Sequence, residues 1–202
     1  MLTNWGYTLT AVDKLPDMMS LDEYDTYTGR NDDPERVEAE ISSACAAIRN
    51  FVGWHLYPAE ACKFEVMAFD NRVTRHANDL LIQLPARFVP SITSVKVGGK
   101  DKDYYLDHNG LLIVFDVRSI PARAVVSVEY VAGLTDAMMA PIKELIAHRV
   151  THALAVPPGI TSEASGGVSV TYNANWINNS RATALAGDNK ELLIPYQVKG
   201  VF

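Results

Sequence analysis

The chain has 202 residues, 48% of them hydrophobic, with 24 acidic and 18 basic side chains and a formal net charge of −6. This length and apolar content suffice for one domain with a substantial core. The acidic balance argues against sequence-independent nucleic-acid binding, which requires a basic face that releases counterions from the phosphates.

The first thirty residues contain one clear structural signal. The opening residues, MLTNWGYTLTAVDKLPD, lack a basic start and a long apolar core, so we expect no secretory signal. No apolar run in the chain is long enough to cross a bilayer. Residues 1–19 are predicted to be extended and weakly specified. Ser20 and Glu23 then have the spacing of a capping box, which predicts a short helix over about 21–27, ended by Gly29.

The first long helix is predicted over 34–52. Asp33 suits its N-cap and Pro34 its first position, where the missing N–H has no intrahelical partner to lose. Glu40 is expected at the edge of the apolar face and Arg49 on another face. The apolar face repeats at helical spacing and comprises Val37, Ile41, Ala44, Cys45, Ile48, Phe51 and Val52.

The chain contains two cysteines, Cys45 and Cys62. Cys45 lies on the apolar face of the first long helix, which predicts a buried free thiol. Two cysteines without CxxC spacing predict neither a disulfide nor a metal pair.

Between residues 61 and 131 the apolar residues alternate with polar ones, which is typical of strands. Gly98-Gly99 and Asn109-Gly110 are turn sequences typical of hairpins. Together they predict a small antiparallel sheet or a barrel-like sandwich. The predicted strands are 63–69, 79–84, 92–97, 103–106, 111–115 and 125–131.

The second long helix is predicted over about 141–156, with Pro141 in its first turn. Arg149 falls inside its apolar arc, so this cation must extend to solvent, pair with a carboxylate, or face another chain. Glu40 is the candidate carboxylate. The apolar face comprises Ile142, Leu145, Ile146, Val150, Ala153 and Leu154.

The C-terminal part changes composition. Residues 157–190 are rich in Gly, Ser, Thr, Asn and Ala, with a predicted strand at 168–172 and a predicted helix at 174–186. The apolar end, ELLIPYQVKGVF, is predicted to dock onto another surface. The predicted fold class is α+β: a small helical bundle with an inserted antiparallel β-rich module and an extended C-terminal arm. We expect one domain over 1–190 and the arm over 191–202.

The sequence HRVTH places His148 and His152 one helical turn apart, which is the spacing of two zinc ligands. Arg149 stands where HExxH enzymes carry a general base, and a cation there repels a metal. Both histidines lie on the polar side of the helix, so we interpret them as a solvated or interface pair. The enzymatic alternative is a metal-dependent hydrolase that uses them. With no GxSxG elbow and no complete P-loop, we predict no catalytic residue, no metal site and no cofactor.

Four stretches of the chain carry a distinctive order of patterns. An amphipathic helix runs into an aromatic-Pro exit, and a Leu-Pro strand end precedes a second strand and a glycine turn. A Tyr-Val-Ala-Gly strand end then leads into a Pro-initiated helix, and an apolar tail follows. The stretches are DPERVEAEISSACAAIRNFVGWHLYP, LIQLPARFVPSITSVKVGG, VSVEYVAGLTDAMMAPIKELIAHRVTHAL and LLIPYQVKGVF. In this order they resemble the head-to-tail connector (adaptor) proteins of tailed bacteriophages, especially those with long non-contractile tails.

The resemblance implies a structural virion protein rather than an enzyme. Such adaptors form a ring, commonly a dodecamer, beneath the portal protein, extend the DNA channel and dock the stopper or the tail. The expected location is the virion neck after synthesis in the host cytoplasm. DNA passes without specific binding, and no membrane is involved. The alternative is another neck protein, a stopper or tail-completion protein, but these usually lack two long helices framing a β-rich insert.

The resemblance also implies which residues meet the portal, because the C-terminal arm of such adaptors generally grips it. From the helical pattern, Arg149 and Glu40 are expected at a subunit interface of the ring. The residues implied to bind the portal are Leu192, Leu193, Ile194, Pro195, Tyr196, Val201 and Phe202.

Overall fold

A computed structural model gives the structure of the chain and has the predicted α+β fold. Its residues form two compact units. Unit 1 comprises Met1–Pro16, Val52–Asp136 and Tyr196–Phe202, and unit 2 comprises Asp17–Phe51 and Ala137–Pro195. The structure describes residues 1–107, 110–118, 120–121, 123–155, 162–165, 168–171 and 189–198.

Unit 1 is built from two antiparallel sheets. Its strands are β1 (Tyr7–Leu9), β2 (Glu60–Met67), β3 (Val73–His76), β4 (Asp79–Gln83), β5 (Ser91–Val97), β6 (Lys100–Asp101), β7 (Tyr104–Leu106), β8 (Leu111–Val114) and β9 (Val125–Ala132). The first sheet has the order β1-β2-β9-β5-β6 and the second the order β3-β4-β8-β7.

The centre of the first sheet is the pairing of β2 with β9. All eight residues of each strand pair, from Glu60 opposite Ala132 to Met67 opposite Val125. Side chains alternate between a buried and a more exposed face, as the period of two requires. The buried face places apolar groups opposite one another across the strands and comprises Cys62, Phe64, Val66, Val126, Val128, Tyr130 and Ala132.

The predicted hairpins are confirmed. Gly98 and Gly99, with φ of 58° and 78°, connect β5 to β6, which matches the positive φ at both central residues of the tightest hairpin turn. Strands β7 and β8 pair antiparallel around the Asn109-Gly110 signal, although residue 109 lies outside the described residues.

Three short strands, β1, β3 and β6, were not predicted from sequence. In β3 only Val73 is buried, so no alternation of apolar residues marks it. Strand β6 has two residues, Lys100 and Asp101, both exposed. Strand β1 does have the buried–intermediate–buried pattern, but three residues are too few to identify a strand by periodicity.

Unit 2 is mainly helical. Its elements are α1 (Leu21–Thr28), α2 (Pro34–Val52, whose last residue is assigned to unit 1), α3 (Ala140–Ala155), β10 (Ser162–Ser165), β11 (Val168–Thr171) and α4 (Asn189–Leu193). The three helices predicted before residue 157 are confirmed, as is the strand beginning at Val168. The predicted helix 174–186 lies outside the described residues. None of the described helices is both long and apolar enough to cross a bilayer.

The apolar faces of α2 and α3 are largely confirmed, although Phe51, Ala153 and Leu154 are only partly buried. One residue was placed on the wrong face. Arg49 was expected on another face of α2, yet only 7% of its surface is exposed. It lies four residues after Cys45, so it follows the apolar stripe along the helix, and its long stem can be buried there. The buried residues of the two faces are Val37, Ile41, Ala44, Cys45, Ile48, Val52, Ile142, Leu145, Ile146, Ala147 and Val150.

Helix α1 begins with the predicted capping box. The backbone N–H of Glu23 donates to Ser20 Oγ at 3.2 Å, and the N–H of Ser20 donates to Glu23 Oε2 at 2.9 Å. The same Glu23 carboxylate accepts a short hydrogen bond from Lys143 Nζ of α3. Tyr24, which is fully buried, places its hydroxyl 3.3 Å from Thr151 Oγ1. These contacts attach α1 to α3.

Candidate interaction surfaces

The predicted C-terminal arm is described as far as Val198, so Val201 and Phe202 lie outside the described residues. Its start is helical rather than extended. It consists of α4 and a 3-10 turn at Ile194–Tyr196. Lys190, Glu191, Leu192 and Leu193 are good helix formers, which explains the difference. Leu193 is fully buried, whereas Leu192 and Ile194 are 55% and 48% exposed.

Residues 196–198 are held within unit 1 by hydrogen bonds to their backbone. Trp54 Nε1 donates to the carbonyl oxygen of Tyr196 at 2.7 Å. Arg87 Nη1 donates to the carbonyl oxygen of Gln197 at 3.2 Å. The backbone N–H of Val198 donates to the carbonyl oxygen of Val52 at 2.9 Å. Each of these three successive residues is therefore held by at least one hydrogen bond.

An aromatic contact supports the same segment. The ring of Tyr196 lies 5.7 Å from that of Phe88, and Phe88 in turn stacks on Trp54 at 6.3 Å and 17°. We call Val52, Trp54, Arg87 and Phe88 the arm receptor. Its residues come from the end of α2, from the loop that follows it, and from the segment between β4 and β5.

A polar cluster, fully buried, positions the loop that carries Trp54. The hydroxyl of Tyr7 is 2.6 Å from His55 Nδ1 and accepts the backbone N–H of His55 at 3.0 Å. His55 Nε2 lies 2.9 Å from the carbonyl oxygen of Ala132 and 3.1 Å from that of Pro58. Two carbonyl acceptors require the proton on Nε2, so Nδ1 accepts from the Tyr7 hydroxyl. The cluster is internally hydrogen-bonded, which indicates a structural role.

Arg149 is half-buried on α3, as its place in the apolar arc predicted. Burial lowers the pKa of its guanidinium, and the negative charge of Glu40 on α2 acts in the opposite direction. The structure therefore brings these two predicted interface residues into electrostatic interaction inside unit 2. Their role at a subunit interface stays a prediction.

His148 and His152 lie on one side of α3 with their Nε2 atoms 3.2 Å apart. Burial, and next the neighbouring His148, lower the pKa of His152, which favours a neutral ring that can hydrogen bond to its neighbour. Across the described part of the chain, no group of three or more His, Cys, Asp or Glu side chains could hold a metal ion. Within the residues that the structure describes, the hydrolase alternative therefore rests on this pair.

Both cysteines are buried free thiols, as predicted for Cys45. Burial raises the pKa of Cys45 to about 11 and that of Cys62 to about 12. Because the thiolate is the reactive form, neither side chain is arranged as a nucleophile.

The arm receptor was not predicted. Trp54 and Phe88 are aromatic and Arg87 is a cation next to an apolar segment. Nothing in the sequence connects Arg87 and Trp54 to partners that lie 110 and 142 positions later. A contact made mainly through backbone carbonyls leaves no signature in side-chain type. No protein-family model and no curated protein matches this chain.

Proposed function

We propose that this protein is a head-to-tail adaptor of a tailed bacteriophage. Its copies form a ring beneath the portal protein, and the ring extends the DNA channel and docks the stopper or the tail. The protein acts through its surfaces, and the proposed role includes no reaction.

The observation that carries the proposal is the order of the elements that correspond to the four stretches of resemblance. The first is α2 with its exit at Trp54, and the second contains β4, β5 and the glycine turn at Gly98. The third joins β9 to α3, and the fourth begins in α4. Along the chain, α2 precedes and α3 follows the strands β2–β9, and this order favours an adaptor over a stopper or a tail-completion protein.

The exposed part of the arm also supports the proposal. Leu192 and Ile194 are two large apolar side chains, each about half exposed, separated by the fully buried Leu193. Exposed apolar groups close together commonly mark an interaction site. Because Leu193 is buried between them, the side chains of Leu192 and Ile194 are held at the surface.

The test is attachment to portal-bearing heads that lack all neck proteins. We expect Leu192→Asp combined with Ile194→Asp to abolish attachment, because aspartate cannot replace an apolar contact with the portal. The fold should survive, since neither side chain is buried. Tyr105→Asp is the matched control, because Tyr105 is 56% exposed on β7. Electron microscopy of heads incubated with each variant measures attachment.

Deletion of residues 191–202 should abolish attachment as well. If both the double variant and the shortened chain join heads normally, the assignment of the arm to the portal is wrong. A stopper would behave differently again, because it would bind only to heads that already carry an adaptor ring.

A further inference from the structure

The arm receptor binds a segment that the proposed function also assigns to a partner. Tyr196 is among the residues implied to bind the portal, yet its ring packs on Phe88 and its carbonyl oxygen accepts the indole N–H of Trp54. While these contacts last, the packed face of the Tyr196 ring and its carbonyl oxygen are not available to a partner.

We propose that the contact between residues 196–198 and the arm receptor is a releasable latch, closed in the free chain and open when the arm engages its partner. This inference rests on the proposed function for the identity of the partner, the portal. The latch itself is a property of unit 1 and can be examined without a partner.

The contacts are of a kind that can open locally. They include three hydrogen bonds and one ring contact, and residues 196–198 belong to no strand of either sheet. Opening therefore breaks no strand pairing. Loops and chain ends outside the strand pairing open with smaller free energies than the core of the same protein.

The arm receptor is also fixed by contacts that do not involve residues 196–198. Trp54 packs edge-on against His55, with ring centroids 5.4 Å apart. His55 is in turn fixed by Tyr7. The receptor should therefore keep its shape when residues 196–198 leave, so that the latch can close again.

A closed latch reduces the apparent affinity of the arm for its partner. If only a fraction of the molecules is open, the apparent dissociation constant rises by the inverse of that fraction. Weakening the latch without changing the arm should therefore strengthen docking. A contact that prepositions the arm would have the opposite effect.

Arg87→Ala is the variant that separates these cases, because it removes one donor to the segment and leaves the arm sequence intact. Its matched control is Arg75→Ala. Arg75 Nη2 also donates to backbone carbonyl oxygens, those of Val117 and Arg118, at 3.3 and 3.2 Å, but it belongs to β3 rather than to the arm receptor.

The first measurement is amide hydrogen exchange of the full-length chain, without any partner. We expect Val198 to exchange faster than Val128 in β9, and Arg87→Ala to accelerate it about tenfold, as the loss of one hydrogen bond to a charged donor implies. Val128 should be unaffected, and Arg75→Ala should change neither rate. Exchange of Val198 that is as slow as Val128 and insensitive to Arg87→Ala would show a permanent contact and overturn the latch.

The second measurement is attachment to portal-bearing heads over a range of protein concentrations. We expect Arg87→Ala to reach half-maximal attachment at about a tenfold lower concentration than the native chain. Unchanged or weaker attachment would overturn the latch as a regulator of docking. If the native chain itself fails to attach, the proposed function fails, and the exchange rates still decide whether the segment opens.

Discussion

The two units stabilise buried polar groups in different ways. In unit 1 the buried imidazole of His55 is hydrogen-bonded to a hydroxyl and to backbone carbonyls. In unit 2, Glu40 acts electrostatically on the half-buried Arg149, and Lys143 pairs with Glu23. Hydrogen bonds to backbone groups depend mainly on geometry, whereas ion pairs also depend on pH and salt. Substitutions around His55 should therefore act through small changes of shape, and substitutions at the two ion pairs of unit 2 through changes of charge.

The largest effect is expected where unit 1 is most tightly packed. Gly133 comes directly after β9, has φ of 134° and lies against the backbone of Pro58 and Ala59. A Cβ added at this position would overlap the carbonyl oxygen of Pro58 and lie 2.5 Å from the Cα of Ala59. Both are backbone atoms and cannot rotate away. Gly133→Ala should lower the free energy of unfolding by about 3 kcal/mol, since overpacking and a strained φ act together.

Gly99→Ala is the matched control for that experiment. Gly99 also has positive φ, but no heavy atom lies within 4 Å of its added Cβ. Only the backbone strain remains, about 1 kcal/mol. Urea unfolding of the two variants measures the difference, and equal losses would contradict the close approach at Gly133.

A pair of Tyr→Phe substitutions tests the hydrogen bonds between Tyr7 and His55. Tyr7→Phe removes the hydroxyl that bonds two groups of His55 and leaves both buried without that partner, at a cost of about 1–3 kcal/mol. Tyr130→Phe is chemically the same change at a fully buried site of the same sheet. Among the described residues, however, the Tyr130 hydroxyl has no hydrogen-bond partner, so its loss should be neutral or stabilising.

The same pair of substitutions makes the measurement simple. Thermal or urea unfolding of Tyr7→Phe and Tyr130→Phe should shift in one variant only. A loss for Tyr130→Phe as large as for Tyr7→Phe would mean that packing, rather than hydrogen bonding to His55, stabilises this part of unit 1.

The sequence predicted those elements whose signals are local. Helix α2 has the predicted limits because Pro34 marks its start and an apolar face persists to Val52. The hairpin at Gly98-Gly99 was predictable because its turn type requires positive φ. The capping box of Ser20 and Glu23 was predictable because both partners lie within one helical turn.

The remaining features depend on contacts between distant parts of the chain. Tyr7 and His55 meet through the pairing of β1 with β2, and three residues of β1 give no periodic signal. Arg49 was placed on the wrong face because a helical wheel gives the direction of each side chain but not how wide the buried strip of the helix is. The arm receptor binds backbone groups, so the identities of Gln197 and Val198 carry no information about it.

A moderate effect is expected for Arg149→Glu in unit 2. The substitution places two carboxylates near one another, because Glu40 already interacts with this position. The loss of folding stability should be about 1 kcal/mol, typical of partly exposed pairs, while assembly of the proposed ring should fail. Arg149→Lys retains the charge and is the control. Sedimentation of the assembled protein and urea unfolding of the monomer separate the two effects, and equal loss in both would assign Arg149 to the core alone.

The smallest effect concerns the ion pair of Glu23, and its sign follows from linkage. The hydrogen bond from Lys143, and next that from the backbone of Ser20, hold the pKa of Glu23 below its usual value. The stabilisation is therefore fully present above the unfolded pKa of about 4.3 and is lost as the pH falls through the lower folded pKa.

Glu23→Gln should cost about 0.5 kcal/mol at pH 7 and almost nothing at pH 2–3. Urea midpoints at both pH values measure this, with Gly99→Ala as the reference, because its cost comes from backbone strain at positive φ, involves no titratable group and should remain constant. A cost for Glu23→Gln that persists unchanged in acid would show that the capping geometry, rather than the charge, stabilises this end of α1.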